Sequence, residues 1–144
     1  MKKIFSIFAI SMAFVLTAKA DDRPVTFAQL PVAAQTFINA NYPDDKVSYA
    51  TVDDDIIRPD YTVVLVSGVR IQFEHSGALE KIESRQGNIP ADVVPVQIRD
   101  YVKTYYPDAV VVEYEAGRRT YDVKLSNRLE FKFNRNFRLI GIDD

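Results

Sequence analysis

The sequence predicts an α+β fold made of two tandem repeats, each a single helix followed by a four-stranded antiparallel meander, with the helices packed on one face of the sheet. The first observation is a duplicated tripeptide, since Tyr42-Pro43-Asp44 returns as Tyr106-Pro107-Asp108. The second is that the hydrophobic period changes from 3.6 to 2 after each copy of that tripeptide. Such a repeat predicts an architecture without fixing a function.

The strand motifs behind the tripeptide are duplicated as well. Tyr61-x-Val63-x-Leu65 returns as Tyr121-x-Val123-x-Leu125, and Val69-x-Ile71-x-Phe73 returns as Leu129-x-Phe131-x-Phe133. The offset between copies is 64 residues at the tripeptide and 60 residues after it, so the first copy carries a four-residue insertion in between.

The N-terminus has the pattern of a secretory signal peptide. Met1-Lys2-Lys3 precedes an apolar run from Ile4 to Leu16 and a small-x-small site that ends at Ala20. The run is shorter than the roughly 20 residues that a membrane span needs, although a retained anchor is the alternative. We expect cleavage after Ala20, a periplasmic or extracellular location and no membrane insertion afterwards. The chain then divides into a signal peptide (1–20), a lead-in segment (21–29), a first repeat (30–84) and a second repeat (85–144).

Composition excludes several classes of function. Without Lys2, Lys3 and Lys19 the chain has 15 basic and 20 acidic side chains, which gives no electrostatic reason to expect nucleic acid or an anionic membrane as partner. Cysteine is absent, which removes disulfides, thiol catalysis, thiolate metal sites and a lipid anchor.

Two helices are predicted, over Leu30–Asn41 and Val94–Tyr105. Each shows apolar residues along one face. Prolines suit the first turns, where an N–H would lack a helical partner, and the residue before a later proline leaves the helical region. The faces are Leu30, Ala34, Phe37, Ile38 and Val94, Ile98, Tyr101, Val102, Tyr105; the prolines are Pro31, Pro43, Pro95 and Pro107.

Eight strands follow, four after each helix. A repeat of about 55 residues has a marginal core alone, so we expect the two repeats to pack or pair as one body, with the sheets continuing edge to edge. The predicted strands are Val47–Val52, Tyr61–Val66, Val69–Glu74 and Ala78–Glu83, then Ala109–Glu115, Tyr121–Leu125, Leu129–Asn134 and Arg138–Ile142.

The register of the central hairpins follows from the alternation of side chains. Placing Leu65 opposite Val69 leaves a loop that ends in Gly68, the residue that a left-handed loop position favours. A slip by one residue would set apolar residues against polar ones. In the second copy the same register pairs Lys124 with Glu130 and Asp122 with Lys132, two opposite-charge pairs.

Together these residues resemble the PepSY-like family of exported bacterial proteins, which is also described as β-lactamase-inhibitor-like. The resemblance rests on Leu30-Pro31, Phe37-Ile38, Asn41-Tyr42-Pro43-Asp44, Tyr61-x-Val63-x-Leu65, Gly68-x-x-Ile71-x-Phe73 and Gly77-x-Leu79. It implies tandem helix-plus-sheet repeats like those of the β-lactamase inhibitory protein, no established catalysis, and inhibition or regulation of peptidases. Leu79 replaces the family's usual tryptophan, and Phe137 replaces the glycine in the second copy.

Residues that could carry out chemistry are few. His75 is the only histidine and is expected in the turn between the third and fourth strands of the first repeat. Asp53-Asp54-Asp55, near Asp60, could hold a cation, but the EF-hand spacing is absent and a solvated turn is favoured. We predict no catalytic residue, no metal site and no cofactor.

Two features could bind a partner. Ile56 and Ile57 lie in the longer loop of the first copy, where the second copy has nothing comparable, and we expect them to cap the core, with a protruding contact point as the alternative. The sheet face away from the helices carries Thr62, Val64, Val66, Arg70 and Gln72 in the first copy. Since Val64 and Val66 break the alternation, we expect the second copy or the lead-in segment to cover them; the alternative is an apolar patch framed by polar groups.

The function that these patterns favour is a non-enzymatic exported binding module. It would contact a protein or peptide through the sheet face or the loop around Ile56, as an inhibitor or regulator of a peptidase or other envelope enzyme. Two alternatives remain: a hydrolase using paired carboxylates such as Asp53 and Asp60, and a cation-dependent structural or adhesion module. None of these patterns specifies the partner or the oligomeric state.

Overall fold

The computed structural model describes residues 22–144, so the predicted signal peptide and its cleavage site lie outside the described residues. Within them the chain forms two α-helices and nine strands. These are β1 (Arg23–Pro24), α1 (Val32–Asn41), β2 (Val47–Val52), β3 (Tyr61–Leu65), β4 (Arg70–Phe73), β5 (Leu79–Glu83), α2 (Val96–Tyr105), β6 (Val111–Ala116), β7 (Thr120–Leu125), β8 (Glu130–Asn134) and β9 (Leu139–Asp143). The predicted strand ends are correct to within two residues.

All nine strands belong to one antiparallel sheet, in which their spatial order is their order in the sequence. The expected edge-to-edge continuation is found between β5 and β6, where Ile82 is the cross-strand partner of Tyr114. Two short 3₁₀ turns, Phe27–Gln29 and Ala91–Val93, precede the helices. Backbone hydrogen bonds therefore cross from the first half of the chain to the second without a gap.

Each helix begins two residues later than predicted, directly after a proline. The carbonyl oxygen of Pro31 accepts a hydrogen bond from the Gln35 N–H (3.1 Å), and that of Pro95 accepts one from the Arg99 N–H (3.0 Å). Each proline is thus the N-terminal cap of its helix, because its carbonyl already belongs to the helix while its ring fixes an extended approach. Both helices end at the predicted residues, Asn41 and Tyr105, and the tyrosine of each Tyr-Pro-Asp tripeptide is the C-terminal cap.

Both helices pack on the same face of the sheet and enclose a single apolar core. The ring of Phe37 lies 5.7 Å from that of Phe73, and the ring of Tyr101 lies 5.6 Å from that of Phe131. Most of the predicted helix faces are buried: Leu30, Ala34, Ile38, Val94, Ile98 and Val102. Tyr105, the last residue of α2, is the exception at 64% exposed, and its ring packs against that of Tyr101 at 4.7 Å.

The predicted hairpin registers are confirmed. Val63 pairs with Ile71, and Val123 pairs with Phe131. The two predicted opposite-charge pairs are present: Lys124 Nζ lies 3.9 Å from Glu130 and Lys132 Nζ lies 3.6 Å from Asp122. Gly68 has the expected positive φ, at +97°.

The lead-in segment is more ordered than the sequence suggests. Arg23 and Pro24 pair with Val52 and Thr51 as a ninth strand, and the Val25 N–H donates to the Ala50 carbonyl at 2.9 Å. The side chains of Val25 and Phe27 pack against the core, which holds the segment beside β2. A proline is tolerated there because, within residues 22–144, no further strand pairs with β1 and needs the missing N–H.

Candidate binding surface

The sheet face opposite the helices has no helix or strand of residues 22–144 over it, and we call it the open face. Its side chains form two rows of cross-strand neighbours that run through both halves of the chain. The first row is Tyr49, Val64, Arg70, Glu83, Glu113, Lys124, Glu130 and Asp143. The second row is Thr51, Thr62, Gln72, Lys81, Glu115, Asp122, Lys132 and Gly141.

The centre of the open face is a network of charges around Lys81. Its Nζ lies 3.1 Å from Glu83 and 3.6 Å from Glu113, so one lysine links the two halves. Burial by itself would lower the pKa of Lys81, but the hydrogen bond with Glu83 and the charges of Glu113 and Glu115 raise it above its ordinary value. The lysine therefore stays charged and forms ion pairs with two carboxylates, one from each half.

The first-half end of the open face is less charged and partly apolar. Val64 is half-buried in the middle of β3, and Val66, just after that strand, is 68% exposed. Val64, Tyr49 and Arg70 line a shallow groove that continues to Arg85. The expectation that these valines are covered is wrong, because the second half extends the sheet sideways and the lead-in pairs at its edge.

The remaining predicted residues on this face, Thr62 and Gln72, are cross-strand partners in the second row. Sequence reasoning missed Tyr49, which is 50% exposed and lies opposite Val64. Its place in the alternation of β2, next to the buried Ala50, was a signal for the open face. We define the first-half patch as Tyr49, Thr62, Val64, Val66, Arg70 and Gln72.

Ile56 and Ile57 protrude from the loop between β2 and β3, at 97% and 85% exposed. The prediction that they cap the core is wrong, because the loop leaves the sheet after the backbone hydrogen bond between Asp53 and Asp60 and exposes both side chains. The loop is braced by its own carboxylates. Asp55 accepts hydrogen bonds from the N–H groups of Ile57 (2.9 Å) and Arg58 (3.1 Å).

The acidic residues of this loop thus act as turn-forming groups. The backbone N–H groups of Arg58 and Ile57 lower the pKa of Asp55, and Asp53 accepts a further bond from the Asp55 N–H at 3.1 Å. Asp54 is exposed, as a solvated turn predicts. Side-chain bonds to N–H groups two or three residues on are what aspartates form in tight turns.

Asp53 and Asp60 are neighbours where the loop joins the sheet, since the Asp53 N–H donates to the Asp60 carbonyl at 3.0 Å. Burial and then the charges of Asp53 and Glu74 raise the pKa of Asp60. Burial and then the charge of Asp60 raise the pKa of Glu80. Within residues 22–144, no three His, Asp or Glu side chains are grouped so as to hold a metal ion. The predicted turn position of His75 is confirmed, and its side chain is exposed.

Comparison with known proteins gives a family for this chain and solved structures of similar proteins. A family model described as "Putative beta-lactamase-inhibitor-like, PepSY-like" matches residues 16–57 and 59–141. No curated protein matches the chain. No helix among the described residues is long and apolar enough to cross a membrane.

Three solved structures share the fold. A "putative periplasmic protein from DUF2874 family" of Bacteroides vulgatus is 39% identical, with a TM-score of 0.82, over 86% of this chain and 98% of its own. A "putative calcium-regulated periplasmic protein" of Bacteroides thetaiotaomicron is 38% identical, with a TM-score of 0.83, over 87% and 98%. A "putative periplasmic protein of unknown function" of Bacteroides vulgatus is 27% identical, with a TM-score of 0.80, over 85% and 99%.

Proposed function

Because the chain belongs to the PepSY-like, β-lactamase-inhibitor-like family, we propose that it is a non-enzymatic exported binding module that inhibits or regulates a peptidase or other envelope enzyme. The partner is a protein or peptide held on the first-half patch, with Ile56 and Ile57 as a second contact. Export takes place through a signal peptide cleaved after Ala20, which N-terminal sequencing of the envelope form tests. The periplasmic relatives support this location.

The observation that carries the proposal is a difference between the two halves at matching positions. Val64 and Val66 lie where the second half has Lys124 and Ser126. The same strand therefore folds with a charge and a hydroxyl at these positions, and the valines are not needed for folding. An exposed apolar group that the fold does not require, framed by Thr62, Arg70 and Gln72, is typical of a partner-binding surface.

The loop supplies an apolar contact that is already ordered. Ile56 and Ile57 are exposed while Asp55 fixes the backbone on their C-terminal side. Full burial of an isoleucine side chain stabilises a complex by about 1.5–3 kcal/mol, and an ordered loop loses little entropy on binding. Inhibition would follow from this surface blocking the partner's own site, with no bond made or broken.

The test is a binding and inhibition assay with a surface variant. The chain and its variant Val64→Glu/Val66→Lys are immobilised and exposed to envelope extract, and peptidase activity of the extract is measured as each is added. The carboxylate introduced at position 64 has Arg70 as its cross-strand neighbour, so the sheet is preserved. We expect the wild type to capture a partner and lower peptidase activity, and the variant to do neither.

The matched control is Lys124→Ala, at the corresponding position of the second half. It should capture the same partner as the wild type, since it leaves the first-half patch intact. Equal capture by the wild type and the valine variant would reject this surface. Ile56→Ser/Ile57→Ser then reports separately on the loop.

A second candidate is a cation-dependent structural or adhesion module. Burial and then the charges of acidic neighbours raise the pKa values of Asp60 and Glu80, and a bound cation would relieve that repulsion. The Bacteroides thetaiotaomicron relative is described as calcium-regulated. Calorimetry with calcium tests it, with Asp60→Asn as the variant and the exposed Asp54→Asn as the control. Absence of heat at about millimolar calcium would remove this candidate.

A further inference from the structure

The last strand, β9, is an open and apolar edge of the sheet. No strand of residues 22–144 pairs with its outer side. Ile140 and Ile142 on it are 54% and 52% exposed, and neither lysine nor proline interrupts Leu139–Asp143. The opposite edge is different, since β1 is two residues long and includes Pro24. Proteins usually blunt long apolar edges, so β9 is the edge that is ready to accept another strand.

The pairing of β5 with β6 shows how a strand placed beside β9 would pack. The matching strand of the first half is β5, in which Ile82 lies between Ile71 on one side and Tyr114 on the other and is fully buried. Ile142 has the position of Ile82, paired with Phe131 on one side only. A strand laid along β9 as β6 lies along β5 would bury Ile142 in the same way.

We propose that this strand is β9 of a second copy, paired antiparallel around Gly141 to form a two-fold dimer. In that register Ile140 of each chain faces Ile142 of the other, and Arg138 faces Asp144. Every contact is made twice, as a two-fold interface requires. The sequence Arg138-Leu-Ile-Gly-Ile-Asp-Asp144 is therefore complementary to itself, basic at one end, acidic at the other and apolar between.

A head-to-tail chain is the less favoured arrangement. Its acceptor would be β2, but β1 already pairs with Thr51 and Val52 on the outer side of that strand. The dimer does not rest on the proposed function, since it uses the sheet edge and leaves the first-half patch uncovered. An interface of one strand pair is at the small end of stable assemblies, so we expect association that depends on concentration.

The experiment is sedimentation velocity on the chain as isolated from the cell envelope, over roughly a hundredfold range of concentration. The wild type should shift from monomer to dimer within that range. Ile142→Lys, which places a charge on the edge at an already exposed position, should remain monomeric. Ile57→Lys, the same substitution at an exposed isoleucine away from the edge, should dimerise like the wild type.

Charge reversal then tests the register. Arg138→Glu should weaken dimerisation roughly three- to tenfold, and Arg138→Glu/Asp144→Lys should restore it, because the pair is rebuilt in the opposite sense. A wild type that is monomeric throughout, or an Ile142→Lys variant that dimerises normally, overturns the proposal. Capture of a foreign peptide by a monomeric wild type would overturn it as well, in favour of a different occupant of β9.

Discussion

Tyr42 donates a hydrogen bond of 2.6 Å from its hydroxyl to the backbone carbonyl of Asn88, and so ties the end of α1 to the connector between the two halves. The tyrosine is buried, and burial followed by the charge of Asp45 raises its pKa to about 12. The first Tyr-Pro-Asp thus does more than end a helix, because it closes a contact across 46 residues of sequence.

Tyr42→Phe should lower the free energy of unfolding by about 1–2 kcal/mol, since the Asn88 carbonyl loses its partner while the ring keeps its packing. Urea denaturation followed by circular dichroism measures this. Tyr106→Phe is the matched control in the second half, where the structure records no hydroxyl hydrogen bond within residues 22–144, and it should change stability far less. Equal losses of stability in the two variants would show that the hydrogen bond to Asn88 does not stabilise the fold.

Of the eight tyrosines, three have a raised pKa (Tyr42, Tyr101 and Tyr114), and Tyr42 and Tyr114 should ionise last in an alkaline titration. Burial raises the pKa of Tyr42 to about 12, and burial followed by the charge of Tyr121 raises the pKa of Tyr114 to about 12. Since the folded pKa lies above the unfolded value of about 10, their contribution to stability is complete below about pH 10 and is lost as the pH rises towards 12.

Ultraviolet absorbance of tyrosinate against pH measures the ionisation. Tyr42→Phe and Tyr114→Phe should each remove one late-titrating group, and each should flatten the loss of stability above pH 10. A titration in which all tyrosines ionise together near the ordinary pKa would contradict the burial of these two.

Ile82→Ala at the β5–β6 seam should cost about 3 kcal/mol, because the side chain is fully buried between the two halves. Unfolding should remain a single transition, since the core and the sheet are shared. Ile142→Ala at the matching place in β9 is the control and, at a concentration where the chain is monomeric, should cost less than about 1 kcal/mol, because that side chain is half exposed. Denaturation curves measured by fluorescence and by circular dichroism should coincide; separate transitions for the two halves would refute the shared core.

Two glycines with positive φ offer a paired test of backbone strain and packing. At Gly68 a Cβ would meet nothing within 4 Å, so Gly68→Ala should cost only the strain of a left-handed alanine, about 1 kcal/mol. At Gly77 a Cβ would lie 2.9 Å from the Cβ atoms of Ala33 and Pro31, so Gly77→Ala should cost about 2–3 kcal/mol. Thermal unfolding ranks the two, and a reversed order would mean that α1 moves away freely.

Glu80→Gln should stabilise the protein slightly at neutral pH, by about 0.3–0.5 kcal/mol, because it removes a partly buried charge and its repulsion with Asp60. The pKa of Glu80 is raised in the folded state, so the wild type regains stability as the pH falls and the carboxyl is protonated. The advantage of the variant should therefore shrink in acid. Glu130→Gln is the control and should give no gain, since Glu130 is paired with Lys124. The free energy of unfolding of the wild type and both variants, measured at several pH values, tests this prediction.

Alternation and period were sufficient to predict the helices, eight of the nine strands and both hairpin registers. Those features depend on local pattern. The ion pair of Lys124 with Glu130 shows that the charged face of β7 and β8 indicates the same register as their apolar face. The strand β1 could not be predicted, because two residues have no period and their pairing depends on where Val25 and Phe27 find the core.

The candidate surface was harder to predict because exposure depends on what lies across the molecule. In the sequence Val64 resembles a core residue, because its strand has apolar residues on both faces. Its face is open because both helices pack on the opposite face of the sheet. Ile56 and Ile57 read as core for their composition, yet the loop carries them past the end of the sheet. Hydrophobicity alone does not distinguish a buried side chain from an exposed contact.

The pairing of Ile82 with Tyr114 joins the two halves of residues 22–144 in one continuous sheet, so we expect them to move as one body. A binding partner long enough to contact both halves must therefore be complementary to the curvature of the whole sheet. The choice among such partners would then depend on the shape of the whole contact surface as well as on individual side chains.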